Sequence, residues 1–244
     1  MRNDVGMLKP SSLCALLLIC SLPAPAQGTD TAQDPMARRM QVCAACHGRE
    51  GRAASDGYYP RIAGKPAAYL YQQLRNFRER RRGYAPMVHL VKNLTEDYLL
   101  EIAGYFAALD LPYPPPRPGR TDPRAMQHGE ALVQRGDKVR GIPACVTCHG
   151  ESLTGALPGV PALLGLPRDY INAQLGAWQT GLRGALAPDC MARVAVRLSP
   201  NDIAALSMWL ASQAVPTGAR PAPAPARSAD DPVCAGLPDS GAPR

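Results

Sequence analysis

CAACHG at residues 43–48 and CVTCHG at residues 145–150 are two copies of one pattern, Cys-x-x-Cys-His-Gly, in a chain of 244 residues with eight cysteines and four histidines. Half of each residue type sits in these two hexapeptides. A chain so poor in both does not produce the pattern twice by chance. Each copy offers two sulfurs and one imidazole, one donor short of the four that structural zinc takes, and a redox dithiol needs no adjacent histidine. The pattern reads instead as covalent attachment of a c-type haem. Two thiols, Cys43 and Cys46 or Cys145 and Cys148, add to the porphyrin vinyl groups, and the neighbouring His47 or His149 is delivered to one axial face of the iron. The sequence therefore calls for two covalently bound c-type haems.

The start of the chain reads as an export signal over residues 1–26. Arg2 and Lys9 form a basic segment, Leu13 to Cys20 a short apolar run, and Ala24-Pro25-Ala26 a small-residue cleavage site. The expected location is the periplasm, with the mature chain starting at Gln27. Cys14 and Cys20 leave with the leader. No later apolar run reaches the length of a membrane span. Aromatic residues are only 5% of the chain, with two Phe, two Trp and nine Tyr. Small domains filled by a porphyrin plate suit that shortage of large rings. The formal net charge of +7 is offset by the propionates that two haems bring. Export excludes nucleic acid as a partner, and nothing in the chain calls for a small-molecule substrate.

The second axial ligand decides the chemistry, because a strong one closes the iron to everything but electrons. Internal repetition points to it. PRIAGKPAAYLYQQLRNF (Pro60 to Phe77) lies opposite PALLGLPRDYINAQLGAW (Pro161 to Trp178), with Pro, Gly, Pro, Tyr, Gln and Leu coinciding at a constant offset. Further on, MVHLVKNLT (Met87 to Thr95) lies opposite MARVAVRLS (Met191 to Ser199). Met87 and Met191 alone among the eight methionines occupy matched downstream positions, and thioether sulfur is a soft ligand suited to haem iron. His89 is the rival in the first half, but its counterpart is Arg193, which cannot ligate. His128 has no matched partner and is assigned no role. Methionine as core filler and Cys190 as an iron ligand stand as alternatives.

The elements read as all-α. Asp34-Pro35 and Asp122-Pro123 each offer an N-cap followed by proline, Pro66 and Pro167 start middle helices, and Thr95 and Ser199 open the last helix of each half with acidic first turns. Leu99, Ile102, Phe106 and Leu109 recur at helical spacing. Each half is expected to be a small haem-binding unit of three or four helices. The first spans residues 27–110 and the second 124–214. LPYPPPRPGRTDP, centred on a linker at 111–123, is a stiff spacer between them. A Pro/Ala-rich tail over 215–244 is expected to lack structure.

The order of these segments, twice over, resembles the di-haem cytochrome c4 family of periplasmic class I c-type cytochromes, over about residues 35 to 213. The Pro-x-x-x-Gly-x-Pro-x-x-Tyr segment is the more discriminating part. The resemblance implies two tandem cytochrome c domains related by a pseudo-two-fold axis. It implies electron transfer from a respiratory donor to a terminal oxidase or another redox protein acceptor, at the membrane surface or free. It also implies that Pro60 and Pro161 supply the carbonyls that accept the Nδ1–H of His47 and His149.

Cys190 and Cys234 remain after haem attachment, and in an oxidising compartment a disulfide between them is one outcome. The basic run FRERRRG (Phe77 to Gly83) reads either as a solvated helix end or as a docking patch for an acidic redox partner or anionic lipid. The leading functional reading is an electron carrier, not an enzyme. A cytochrome subunit of a dehydrogenase or oxidase complex, and a di-haem thiosulfate dehydrogenase or peroxidase, are the competing readings.

Overall fold

The computed structural model describes residues 35–53, 57–116, 119, 121–223 and 234. The expected leader, Asp34 and most of the tail beyond Pro223 lie outside the described residues. The first half runs α1 (Pro35–Arg39), α2 (Gln41–His47), a 3-10 turn (Arg49–Gly51), α3 (Ala67–Arg78), α4 (Ala85–Val91) and α5 (Glu96–Ala108). The second runs α6 (Pro123–Arg135), α7 (Cys145–His149), α8 (Arg168–Gln179), α9 (Cys190–Ala195) and α10 (Pro200–Ser212). The described residues form no named strand, only isolated bridges. Among the described residues each half has five α-helices where three or four were expected. The additional ones are the single turns that carry the haem motifs and the matched methionines, too short to print a helical period on the sequence.

Local chemistry explains the longer elements. Pro66 and Pro167 cap α3 and α8 in extended backbone, with ψ of 135° and 145°, and the two helices keep the sequence offset of the repeat. Thr95 caps α5 by accepting from the Tyr98 amide at 3.3 Å. Ser199 caps α10 in a reciprocal box: its hydroxyl oxygen accepts from the Asp202 amide at 3.1 Å, and its own amide donates to the Asp202 carboxylate at 2.8 Å.

Each half has its own hydrophobic core. In the first, Leu70, Ile102, Ala103 and Phe106 gather around Met40, while Phe77, Val91 and Leu99 form a second cluster. In the second, Leu132, Val133, Ile171, Leu198, Ile203, Leu206 and Leu210 belong to one cluster. Full burial of each large side chain contributes about 2 kcal/mol.

The join between the halves is polar. The backbones of Arg82 and Arg183 pair as an antiparallel bridge. Around it the Gly83 amide donates to Leu182 O and the Gly184 amide to Arg81 O, both at 2.7 Å. Arg82 donates to Tyr170 Oη and Gln73 Oε1 at 3.0 Å each and to Gln174, while Arg183 donates to Gln174 Oε1 at 2.7 Å. The Arg82 guanidinium lies 4.5 Å from the Phe77 ring centroid and that of Arg183 3.8 Å from Trp178. Arg82 and Arg183, Gln73 and Gln174, and Phe77 and Trp178 are equivalent pairs of the repeat. The join therefore has the pseudo-two-fold character that the duplication implies.

The start of the proline-rich linker is pinned. Arg61 donates to the carbonyls of Ala63, Leu111 and Pro112 and stacks at 3.9 Å on Tyr113. The Tyr113 ring covers Gly165, where a Cβ would fall 2.5 Å from its Cδ1. The first part of the tail also departs from the expectation of no structure. Ala222 exchanges backbone hydrogen bonds with Gly155 and Leu157 at 2.8 Å each, and Thr154 Oγ1 donates to Arg220 O at 2.9 Å. Low apolar content cannot report such backbone pairing. Cys190 and Cys234 are joined by a disulfide with a Cα–Cα distance of 5.5 Å.

Candidate haem sites

Both Cys-x-x-Cys-His motifs lie on short helices that end in a glycine with positive φ, Gly48 at 74° and Gly150 at 83°. Such a residue turns the chain away immediately after the histidine at no Cβ penalty. In each motif the first cysteine is half-buried and the second exposed. Burial pushes the Cys43 and Cys145 thiols up to about 11, so both are protonated at neutral pH.

His47 Nδ1 lies 2.9 Å from Pro60 O, and His149 Nδ1 lies 2.8 Å from Pro161 O. A carbonyl only accepts, so Nδ1 carries the proton and Nε2 keeps its lone pair. Burial holds both imidazoles below 6.5 in pKa, with the Arg82 charge adding to the effect at His47 and the Lys65 charge at His149. Each ring is a neutral base oriented by a backbone acceptor, the state in which imidazole ligates a metal.

Met87 lies on α4, partly buried against the cluster of Phe77, Val91 and Leu99. Met191 lies on α9, the equivalent helix of the second half, and is also partly buried. The entry to α9 is the more heavily braced. Asp189 Oδ1 accepts from the Ala192 amide at 3.0 Å, and its Oδ2 accepts from the Ala185 amide at 2.8 Å and from Trp178 Nε1 at 3.2 Å. His89 is exposed on α4. His128 Nε2 lies 2.6 Å from the buried Asp202 carboxylate, which Arg140 also reaches at 2.6 Å.

Two features escaped the sequence reading. Tyr58, Tyr59 and Tyr84 gather beside His47: the His47 and Tyr59 ring centroids lie 6.1 Å apart, and Tyr84 Oη donates to Tyr59 Oη at 3.3 Å. The repeat places Gly159, Val160 and Ala185 opposite them, so the cluster belongs to one half. The burial of Arg82, at the end of the basic run, is the other. Arg75, Arg78 and Arg81 pair with Glu79 and Glu96, whereas Arg82 is buried in the join between the halves. Its coincidence with Arg183 at the offset of the repeat was the available signal.

Among the described residues no group of three or more His, Cys, Asp or Glu side chains could hold a bare metal ion. A porphyrin fits what is present. The two imidazoles each have Nε2 available, the thiols stand at the motif spacing, and the buried cations Arg82, Arg183 and Lys65 make no ion pair with a carboxylate among the described residues. A haem brings carboxylates to such a surface.

No protein-family model matches the chain. Among curated proteins, cytochrome c4 of Pseudomonas aeruginosa is 34% identical over 200 residues, covering 81% of this chain and 96% of that one. The chain belongs to the cytochrome c4 family. A thiosulfate dehydrogenase electron acceptor of Thiomonas intermedia is 39% identical over 171 residues, 70% of this chain and 78% of that one. Among solved structures, reduced cytochrome c4 from Pseudomonas stutzeri superposes with a TM-score of 0.63 at 31% identity, covering 72% of this chain and 95% of that one. A thiosulfate dehydrogenase from Marichromatium purpuratum gives a TM-score of 0.64 at 34% identity over 71% of this chain, which spans 36% of that longer chain. As a cytochrome c4, the protein is an all-α pair of tandem cytochrome c domains that carries two covalent c-type haems. It is an electron carrier that works with redox protein partners and is not itself an enzyme.

Proposed function

We propose that this cytochrome c4 works in the periplasm, takes electrons from a thiosulfate-oxidising dehydrogenase and passes them to a terminal oxidase or an equivalent acceptor. In this reading Cys43 and Cys46 would hold the first haem, with His47 and Met87 as its iron ligands. Cys145 and Cys148 would hold the second, with His149 and Met191. A haem supplies a one-electron couple, and the chain's residues set how it is used. Pro60 and Pro161 hold the proximal imidazoles in the tautomer that presents Nε2. The thioethers of Met87 and Met191 would ligate the irons and raise the potential. The single observation that carries the reading is the paired His Nδ1 to Pro O geometry at 2.9 and 2.8 Å, present in both halves upstream of matched methionines.

The choice of donor rests on the likeness to an electron acceptor of thiosulfate dehydrogenase. The test mixes oxidised holoprotein with thiosulfate, with and without a thiosulfate dehydrogenase. Both haems are expected to become reduced only when the enzyme is present. Reduction and turnover with thiosulfate alone would make the chain an enzyme, and no reduction in either case would remove this donor.

A further inference from the structure

Cys190 opens α9 immediately before Met191 and is bonded to Cys234, with 5.5 Å between their Cα atoms. The equivalent residue of the first half is Pro86, so the bridge belongs to the second half. α9 is six residues long, too short to persist by helix formation alone. It is held from outside, by Asp189 at its start, by Gln179 at Ala195 O and by the bridge. The tail that carries Cys234 is fastened a second time, at Ala222, which exchanges backbone hydrogen bonds with Gly155 and Leu157 beyond His149. The bridge therefore couples the segment that follows the histidine to the helix that carries the methionine.

The bridge is within reach of solvent. Cys190 and Cys234 are both half-buried and Arg193 is exposed. Arg193 Nη2 donates to Cys190 Sγ at 3.1 Å. A guanidinium there stabilises the negative charge that builds on this sulfur as the S–S bond breaks. Cys190 is therefore the better leaving group, and Cys234 the sulfur that a nucleophile attacks. A bridge that only stapled the tail would have no use for a cation at one of its sulfurs.

We infer that the Cys190–Cys234 bridge is a thiol-exchange site whose state governs how firmly Met191 holds the second iron. The co-reactant is a dithiol. Its first sulfur bonds to Cys234 as the Cys190–Cys234 bond breaks and Cys190 takes up a proton. Its second sulfur then displaces Cys234 and closes a ring, so that two electrons and two protons pass to the protein and the dithiol leaves as a disulfide. The opened tail no longer restrains α9 at the residue before Met191. The inference rests on the assignment of Met191 to the second haem.

The test mixes full-length oxidised holoprotein with cyanide, which displaces an axial methionine from ferric haem. Each haem is followed by its own methyl proton resonances, assigned through contacts to the residues of its own motif. Untreated wild type is compared with Cys234→Ala, which leaves the sequence of α9 whole. It is also compared with wild type opened by dithiothreitol, capped with iodoacetamide and reoxidised with ferricyanide, which needs no substitution. In both, displacement at the second haem should be about tenfold faster, with the first haem unchanged. The double variant Cys190→Ala/Cys234→Ala, which has no thiol there to approach the iron, should match them. An unchanged rate at the second haem, equal acceleration at both haems, or a bridge that dithiothreitol does not open in the folded protein overturns the inference. The Met–Fe(III) charge-transfer band of the untreated protein separates this failure from that of the ligand assignment. If the second haem lacks the band, the assignment itself fails; if the band is present and the rate does not move, the inference alone fails.

Discussion

Asp202 shows how much a single residue contributes in this chain. Its side chain is 3% exposed, caps α10, and takes Arg140 and His128 on its two oxygens. Burial opposes its charge, but the Arg140 bonds, the Ser199 amide and His128 outweigh it and hold the carboxyl well below the ordinary 3.8. A carboxylate depressed in the folded state stabilises fully above the unfolded value, and the contribution is lost as pH falls through the folded one. Asp202→Asn should lower stability at neutral pH, because α10 loses the charge-assisted bonds from Arg140, which keeps only Asp137. It should also flatten the acid limb of a stability-against-pH curve measured by denaturant unfolding. An unchanged acid limb would remove Asp202 from that role. At this scale the sequence was readable wherever the chemistry is local. The motif cysteines and histidines stand in consecutive residues, and Ser199 with Asp202 makes a cap within one turn. The pairing of His128 with Asp202 spans 74 residues and leaves no local pattern, so His128 received no role.

At the scale of elements, the repeat is regular in α3 and α8 and broken just before α4 and α9. The first half reads RGYAPM (Arg82 to Met87) and the second RGALAPDCM (Arg183 to Met191). The added residues include Asp189, which caps α9, and Cys190, which ties the tail to this helix. Met191 thus follows directly on a cross-linked residue, whereas Met87 depends on packing alone. The disulfide closes a loop of 44 residues, and its loss should cost about 4 kcal/mol by chain entropy. Cys190→Ser is expected to lower the unfolding midpoint of the second domain and leave the first unchanged, as resolved by calorimetry of the holoprotein. Equal loss in both domains would contradict this. The longer helices were legible because Thr95, Ser199 and the prolines before α3 and α8 punctuate them. The single-turn helices were not, since five to seven residues cannot show a period against their neighbours.

On the scale of the whole molecule, two separate apolar cores meet across a seam of arginine, glutamine and tyrosine. The duplication was plain from the repeated segments. The seam was not, because Arg82 sits in a run of arginines that reads as solvated surface, and only its match to Arg183 marks it as buried. Hydrogen bonds to neutral Gln and Tyr oxygens keep these guanidiniums inside without an acidic partner among the described residues, on a surface suited to cofactors that bring their own carboxylates. Such a molecule acts as a relay only if both irons are closed. The most direct measurement is carbon monoxide added to the fully reduced holoprotein, followed in the haem absorption bands. With His47 and Met87 on one iron and His149 and Met191 on the other, no adduct should form at either haem. Rapid formation of an adduct at one of them would show an open iron and contradict the assignment.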